Sequence, residues 1–332
     1  MGGLGKSAWR VLLTGVLLGC GGSQETGEPV HQGDSGPSSN AVCVDDDVAP
    51  VVPLVDFGTS TFEDFPLLLH VPEQPRGVVF IFHGSGGQIG YLTGIHYVRA
   101  WNTFIEAGYA VVATESTDRK QGTWSGVLGD VSGNPDMARM VRLRDHLMDT
   151  TPLSSDTPIY GWGFSNGGGF LDAFAWMGDQ EGWPMAGLMI HNSVLGSAVD
   201  VPVLITSAEN DAITALAFQS YEAHAETGAA AEWWESKERA WTPDDMQIHP
   251  AYEADDSQAV FDELVGFGFI DEQGERLLDL GELESSMNYY ARNSVLPGPD
   301  RVTPLLRVAW ATHRPTSEFA CEEVAFMNRH LP

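Results

Sequence analysis

The sequence predicts an α/β fold, a mostly parallel sheet with helices on both of its faces. Three observations predict it. Short runs of apolar and β-branched residues alternate along the chain with stretches that carry apolar residues at helical spacing. The run 77–82 (Gly-Val-Val-Phe-Ile-Phe) is apolar almost without a break, which suits a strand buried on both faces. Two glycine-rich turns, His83-Gly84-Ser85-Gly86-Gly87 and Gly163-Phe164-Ser165-Asn166-Gly167, follow strand ends, where open α/β sheets place their ligands.

In chain order, the pattern gives strands at 52–57, 67–71 and 77–82, a helix at 97–107, a strand at 109–114 and an amphipathic helix at 135–148. A strand at 158–162 then runs into the serine turn and a helix through 170–177. Strands at 184–190 and 201–206 follow, and 305–310 reads as the last strand before a final helix. A length of 332 residues with 43% hydrophobic content is enough for one core of this class, in a chain expected to act as a monomer.

The N-terminus has the layout of an export signal. Lys6 and Arg10 precede a short apolar run at 11–18, too short to span a bilayer comfortably. Leu17-Leu18-Gly19-Cys20 resembles the processing site of a bacterial lipoprotein. That implies removal of 1–19 and acylation of Cys20, leaving a protein held on the cell envelope by its lipid. Residues 20–42, rich in Gly, Ser, Pro and acidic side chains, read as a solvated tether, and 43–332 as the folded domain. With Cys20 set aside, Cys43 and Cys321 remain, and an exported chain admits a bridge between them.

A formal charge of −29, from 46 acidic and 17 basic residues, excludes nucleic acid as a partner, because phosphate neutralisation needs a basic face. The acidic, lysine-poor surface suits a solvated, salt-exposed setting. No cysteine or histidine spacing suggests a metal site, and no cofactor motif is present.

Ser165 stands where a strand reverses into a helix. Gly163 and Gly167, two residues to either side, let the two elements approach closely and turn the hydroxyl outward. The helix start adds partial positive charge, and the Asn166 N–H faces the space where an acyl oxygen would become anionic. A serine hydroxyl needs an imidazole to take its proton and a carboxylate to orient that imidazole. Asp211, after the 201–206 strand, is the leading acid, with Glu209 as its alternative. His313, after the 305–310 run, is the leading base, with His249 as its rival. His83 is expected to order the loop it opens, and His191 to line the pocket. His70, His146 and His330 read as surface or packing residues.

Together these residues resemble the α/β-hydrolase superfamily, in particular bacterial serine esterases of the polyhydroxyalkanoate depolymerase, feruloyl esterase and dienelactone hydrolase-like group. The resemblance covers about 52–219 and 305–331. It implies a carboxylic ester hydrolase with Ser165 as nucleophile, His313 as acid and base, Asp211 as its partner, and the N–H groups of Ser85 and Asn166 as the oxyanion hole. No cofactor is implied. A serine peptidase of the same fold and a non-catalytic surface binding protein are the other classes the same residues admit. The departure from the family is an insertion at 229–304, expected to be largely helical and to precede the last strand. Its Trp233, Trp234, Trp241, Tyr252, Tyr289 and Tyr290 are expected to wall a pocket suited to an apolar or aromatic acyl group.

Overall fold

The computed structural model describes residues 60–196, 199–249, 252–296 and 301–332. The chain divides into two units, Met1–Asn40 and Ala41–Pro332, and every described residue belongs to the second. The expected leader, Cys20, Cys43 and the 52–57 strand lie outside the described residues.

Eight strands form one sheet: β1 (Ser60–Phe62), β2 (Phe65–His70), β3 (Val78–Phe82), β4 (Ala110–Thr114), β5 (Ile159–Phe164), β6 (Met185–His191), β7 (Val203–Ala208) and β8 (Ala231–Ser236). Their order is β1-β2-β4-β3-β5-β6-β7-β8. β2 is antiparallel to both of its neighbours, and the strands from β4 through β8 are parallel.

The helices are α1 (Ile95–Glu106), α2 (Pro135–Thr150), α3 (Asn166–Gln180), α4 (Thr214–Glu226), α5 (Asp244–Gln247), α6 (Ala254–Gly266), α7 (Leu283–Asn293), α8 (Val302–Ala309) and α9 (Ala320–Arg329). The apolar run of β3 divides between two cores. Val78, Phe80 and Phe82 face Met137, Met140 and Leu143 of α2 and Phe170 and Phe174 of α3, while Val79 and Ile81 face Trp101 and Phe104 of α1 and Phe326 of α9. Burial on both sides is why this strand does not alternate polar with apolar. α2 begins where Asn134 accepts from the N–H groups of Asp136 and Met137, with Pro135 at the first helical position.

Two expectations are corrected. Residues 305–310 are not a strand, since α8 runs through Ala309 with Val302, Leu305, Leu306 and Ala309 buried. Those positions recur at helical spacing, which a short apolar run hides when read alone. The last strand is instead β8, which lies inside the segment expected to be inserted. It is an edge strand whose two tryptophans point to opposite faces: Trp233 packs against Phe218 and Tyr221, and Trp234 against Phe319. Glu232 and Glu235 flank the two tryptophans, so this edge strand lacks the unbroken apolar run that marks β3.

The insertion therefore follows β8 instead of preceding it. α5 to α8 enclose a third core that includes Trp241, Tyr252, Leu264, Tyr290, Leu306 and Trp310. Ile95, at the start of α1, packs against its edge. Three of the aromatics expected to wall a pocket, Trp241, Tyr252 and Tyr290, are thus built into the insertion's own interior, and Tyr289 is exposed. Cys321 lies in α9 and is disulfide-bonded, while Cys43 lies outside the described residues.

His96 of α1 is buried, with Nδ1 3.2 Å from Ser317 Oγ. Burial, reinforced by the charges of Arg99 and Arg239, pushes its imidazole down to about 4. An unfolded histidine binds its proton near 6.5, so between those values the unfolded chain holds more protons and stability must fall as pH drops. The expected loss is roughly 3 kcal/mol across that window. Denaturant unfolding at pH 4 to 7 should show a flatter profile for His96→Asn; parallel profiles for the two proteins would contradict it.

Candidate active site

Ser165 joins β5 to α3 with φ 53° and ψ −118°, a conformation that side chains other than hydrogen rarely adopt. Its N–H donates to the His191 carbonyl at 2.9 Å. The close approach expected from the glycines is explicit. A Cβ on Gly163 would lie 2.4 Å from the Gly167 carbonyl oxygen, and one on Gly167 would lie 2.3 Å from that of Phe82. Gly168 is similarly confined by Ser193, whereas a Cβ on Gly169 would meet only Ser193 Oγ, at an ordinary 3.7 Å.

β3 and β5 are neighbours at the point where the strand order reverses, so their following loops meet. A Cβ on Gly84 would sit 3.3 Å from Ser165 Cβ, which places the His83–Gly87 turn against the serine. His83 is buried and holds this turn. The Ser116 N–H donates to Nε2 at 3.3 Å, which leaves Nδ1 to donate to the Gly84 carbonyl at 2.8 Å. Burial lowers the affinity of this imidazole for a second proton, which matches the neutral tautomer. Gly86 N–H donates to the carbonyls of Gln121 and Gly122, both at 3.0 Å. Among the described residues, neither Ser85 N–H nor Asn166 N–H donates to a protein acceptor. Asn166 also has a part the sequence did not suggest: its side chain accepts from Trp124 N–H at 2.6 Å and donates to Trp124 O at 3.2 Å.

The residues expected to act together are brought together. His313 Nε2 lies 2.9 Å from Ser165 Oγ, and His313 Nδ1 lies 2.6 Å from Asp211 Oδ2. The Asn192 amide donates to the same Asp211 oxygen at 2.8 Å, and Ile213 N–H donates to Oδ1 at 3.1 Å. Burial opposes the charge on Asp211, but these hydrogen bonds and the neighbouring His313 outweigh it and hold its carboxyl below the usual carboxylate range. The Asp211 side chain is 5% exposed and that of His313 is 42% exposed, so the imidazole stands at an open surface. The Phe164 ring lies beside it, 5.0 Å between centroids.

The alternatives are engaged elsewhere. Glu209 accepts from Glu238 N–H at 3.0 Å, and His249 packs edge to face on Tyr252 inside the insertion. His191 does not line a pocket. It is fully buried, with Nε2 2.9 Å from Glu323 Oε1 and its ring 4.2 Å from that of Trp162. Asn192 was missed because nothing local marks it. Only its left-handed φ of 47°, which asparagine tolerates well, hints at a special place. Among the described residues, no cluster of three or more His, Cys, Asp or Glu could hold a metal, and no helix is long and apolar enough to cross a membrane.

The reversed strand order, the antiparallel β2 and the serine turn at the end of β5 define an α/β-hydrolase fold. No family model matches the chain, and no curated protein matches its sequence. Among solved structures it is similar to an arylesterase at 14% identity, with a TM-score of 0.41 over 57% of this chain and 80% of that one. It is similar also to a bacterial heroin esterase (16% identity, TM-score 0.39, 52% and 69%). A third is a hyperthermophilic esterase from the archaeon Pyrobaculum calidifontis (12%, 0.40, 61% and 78%). Likeness of this extent says nothing about the reaction, and the fold class stands on the strand order and connections.

The glycine contacts sort the turn into positions that tolerate a methyl group and positions that do not. Gly167→Ala should lower stability by roughly 1–3 kcal/mol or more through overpacking. Gly169→Ala, with room for the methyl in a helix, should raise it by up to about 1 kcal/mol. Equal effects of the two substitutions on thermal unfolding would contradict this packing.

Proposed function

We propose that the chain is a serine hydrolase of carboxylic esters, working through an acyl-enzyme. The observation that carries this reading is the continuous hydrogen-bond path from Ser165 Oγ through His313 to Asp211. His313 Nε2 takes the Ser165 proton as Oγ attacks the ester carbonyl. The N–H groups of Ser85 and Asn166 receive the oxygen as it becomes anionic. His313 then gives the proton to the leaving alkoxide. Water, deprotonated by the same nitrogen, releases the acid and restores Ser165. Asp211, kept ionised by its donors, fixes the tautomer in which Nδ1 carries hydrogen and steadies the imidazolium that forms.

The half-exposed His313 favours short, soluble esters over long acyl chains that need an enclosed tunnel. The self-packed insertion removes Trp241, Tyr252 and Tyr290 as walls for an aromatic acyl group. A fluorophosphonate should label Ser165 alone, located by peptide mass spectrometry, and the adduct should disappear in His313→Ala. Ser165→Ala should lower hydrolysis of a short-chain nitrophenyl ester by at least about 10⁴-fold, and Asp211→Asn by about 10³- to 10⁴-fold. No adduct on folded protein would overturn the reading, and faster cleavage of a peptide panel than of esters would make it a peptidase.

We also propose that the enzyme is exported and held on the cell envelope through a lipid on Cys20, on the strength of the leader-like sequence before it. Cys20→Ser should move the protein from the membrane to the soluble fraction of a bacterial host; unchanged membrane recovery would dismiss the anchor.

A further inference from the structure

His313 reaches the site by an unusual route. It does not come directly off β8, because the whole insertion lies between them, and it has no strand to fix its position. What precedes it is the end of α8. There Ala311 N–H donates to the Val308 carbonyl and Thr312 N–H to that of Arg307, both at 3.0 Å, with Ala311 at φ 45°. This is the left-handed helix stop that glycine normally provides. An alanine there is held against a cost of roughly 1–2 kcal/mol, so its surroundings must impose the conformation.

Arg239 N–H donates to the Ala309 carbonyl at 2.9 Å, and the two residues after Ala309 are held by Asn210, the residue before Asp211. Its backbone N–H donates to the Ala311 carbonyl at 2.8 Å, and its amide donates to the Trp310 carbonyl at 3.0 Å. The same amide donates to Glu238 Oε2 at 2.6 Å. Glu238 in turn receives a forked pair from Arg276 of the insertion, at 2.7 and 2.9 Å. Arg276 Nη1 also donates to the Leu278 carbonyl at 2.7 Å, which ties it to the insertion's backbone. Arg276, with a smaller contribution from Asn210, holds the Glu238 carboxyl below its ordinary value against the cost of burial. A polar chain thus runs from the insertion to the two residues whose backbone leads into His313, and it passes through the neighbour of the acid that orients that histidine.

We infer that Asn210 is a positioning residue for His313, and that the insertion acts on the reaction through Arg276, Glu238 and Asn210 instead of through contact with the acyl group. The inference rests on the serine-hydrolase reading. Asn210 replaces the strand end: it holds the acid loop and the base loop at a fixed separation, so the bonds of His313 to Asp211 and Ser165 form without a search. Misplacement of a proton-transfer group by about 1 Å costs on the order of 100-fold in rate. Arg276 and Glu238 are partly exposed, so their removal loosens the chain without hollowing a core.

The test compares the parent with Asn210→Ala, Arg276→Ala and the double variant, each shown folded by its thermal transition. kcat and KM are measured on a short soluble ester, together with the rate of fluorophosphonate labelling. Asn210→Ala should lower kcat about 10- to 100-fold with KM within about twofold, and should slow labelling in proportion. Arg276→Ala should shift both in the same direction by less, Arg276→Lys should recover part of that loss, and the double variant should be no worse than Asn210→Ala. A second readout needs no turnover: the low-field proton resonance of His313 Nδ1–H bonded to Asp211 should be sharp in the parent and broadened in Asn210→Ala. Unchanged kcat and an unchanged resonance in folded Asn210→Ala would overturn the inference, as would a double variant that loses the product of the two single effects. If Asn210→Ala does not fold, an Arg276→Ala protein with the parent's kcat and resonance overturns it instead. A parent that shows the resonance but never labels at Ser165 would defeat the hydrolase reading, while the resonance of the variants still decides the positioning of His313.

Discussion

The backbone of Ser165 is the constraint on which the rest of the site depends. Its positive φ turns the chain from β5 into α3 within one residue, and that turn is possible only because the elements around it nearly touch. Gly163 against Gly167, and Gly167 against the carbonyls of Phe82 and His83, leave no room for a methyl group. Overpacking such contacts costs about as much as a buried polar error, so the turn persists as long as the sheet does. The result is a hydroxyl presented above the carboxyl end of the sheet and a helix whose first N–H groups open toward the same space.

Around that fixed point the other groups are held by side chains and not by packing alone. Asn166 clasps the backbone of Trp124, and His83 bridges Gly84 and Ser116. Behind them, the buried Asp136 carboxylate accepts from Thr117 N–H at 2.6 Å and Ser125 N–H at 2.7 Å. The segment between β4 and α2, which holds one short 3-10 turn at Val131–Gly133, is thereby secured against the His83–Gly87 turn. Below the serine, His191 and Glu323 face each other in the core and link β6 to α9 while the His191 carbonyl receives the Ser165 N–H. Removing one partner of such a pair strands a buried polar group, which costs more than the intact pair contributes.

The place of the insertion changes what the insertion is for. An expansion before the last strand leaves His313 attached to the sheet, whereas one after β8 detaches it. The helices α5 to α8, with a core of their own, then lie along the chain between β8 and His313. Trp241, Tyr252, Tyr290 and Trp310 are built into that core, while Tyr289 is exposed. The polar contacts through Arg276, Glu238 and Asn210 tie the insertion back to the loop that carries Asp211.

Much was legible in the sequence for local reasons. The doubly buried β3, the strand-to-helix turn at Ser165 and the turns after β3 and β7 all leave marks within a few residues, in composition and period, because their causes are local sterics and burial. The identity of the final strand was not legible. An edge strand carrying Glu232 and Glu235 lacks an unbroken apolar run, and the apolar face of α8 resembles a strand when only 305–310 is considered, so pairing with β7 had to decide. Asn192 and Asn210 were invisible for another reason. An asparagine acquires a role only from the groups that the fold brings to it, and here Asp211, Trp310 and Glu238 come from separate segments of the chain. By itself the sequence determined the central strands β3 to β7, the turn at Ser165 and the place of Asp211 after β7, since each is written in its own neighbourhood, whereas His313 was picked out after a run that the structure makes a helix. Only the tertiary structure decided where the insertion belongs and what holds His313, because those depend on contacts between residues far apart along the chain.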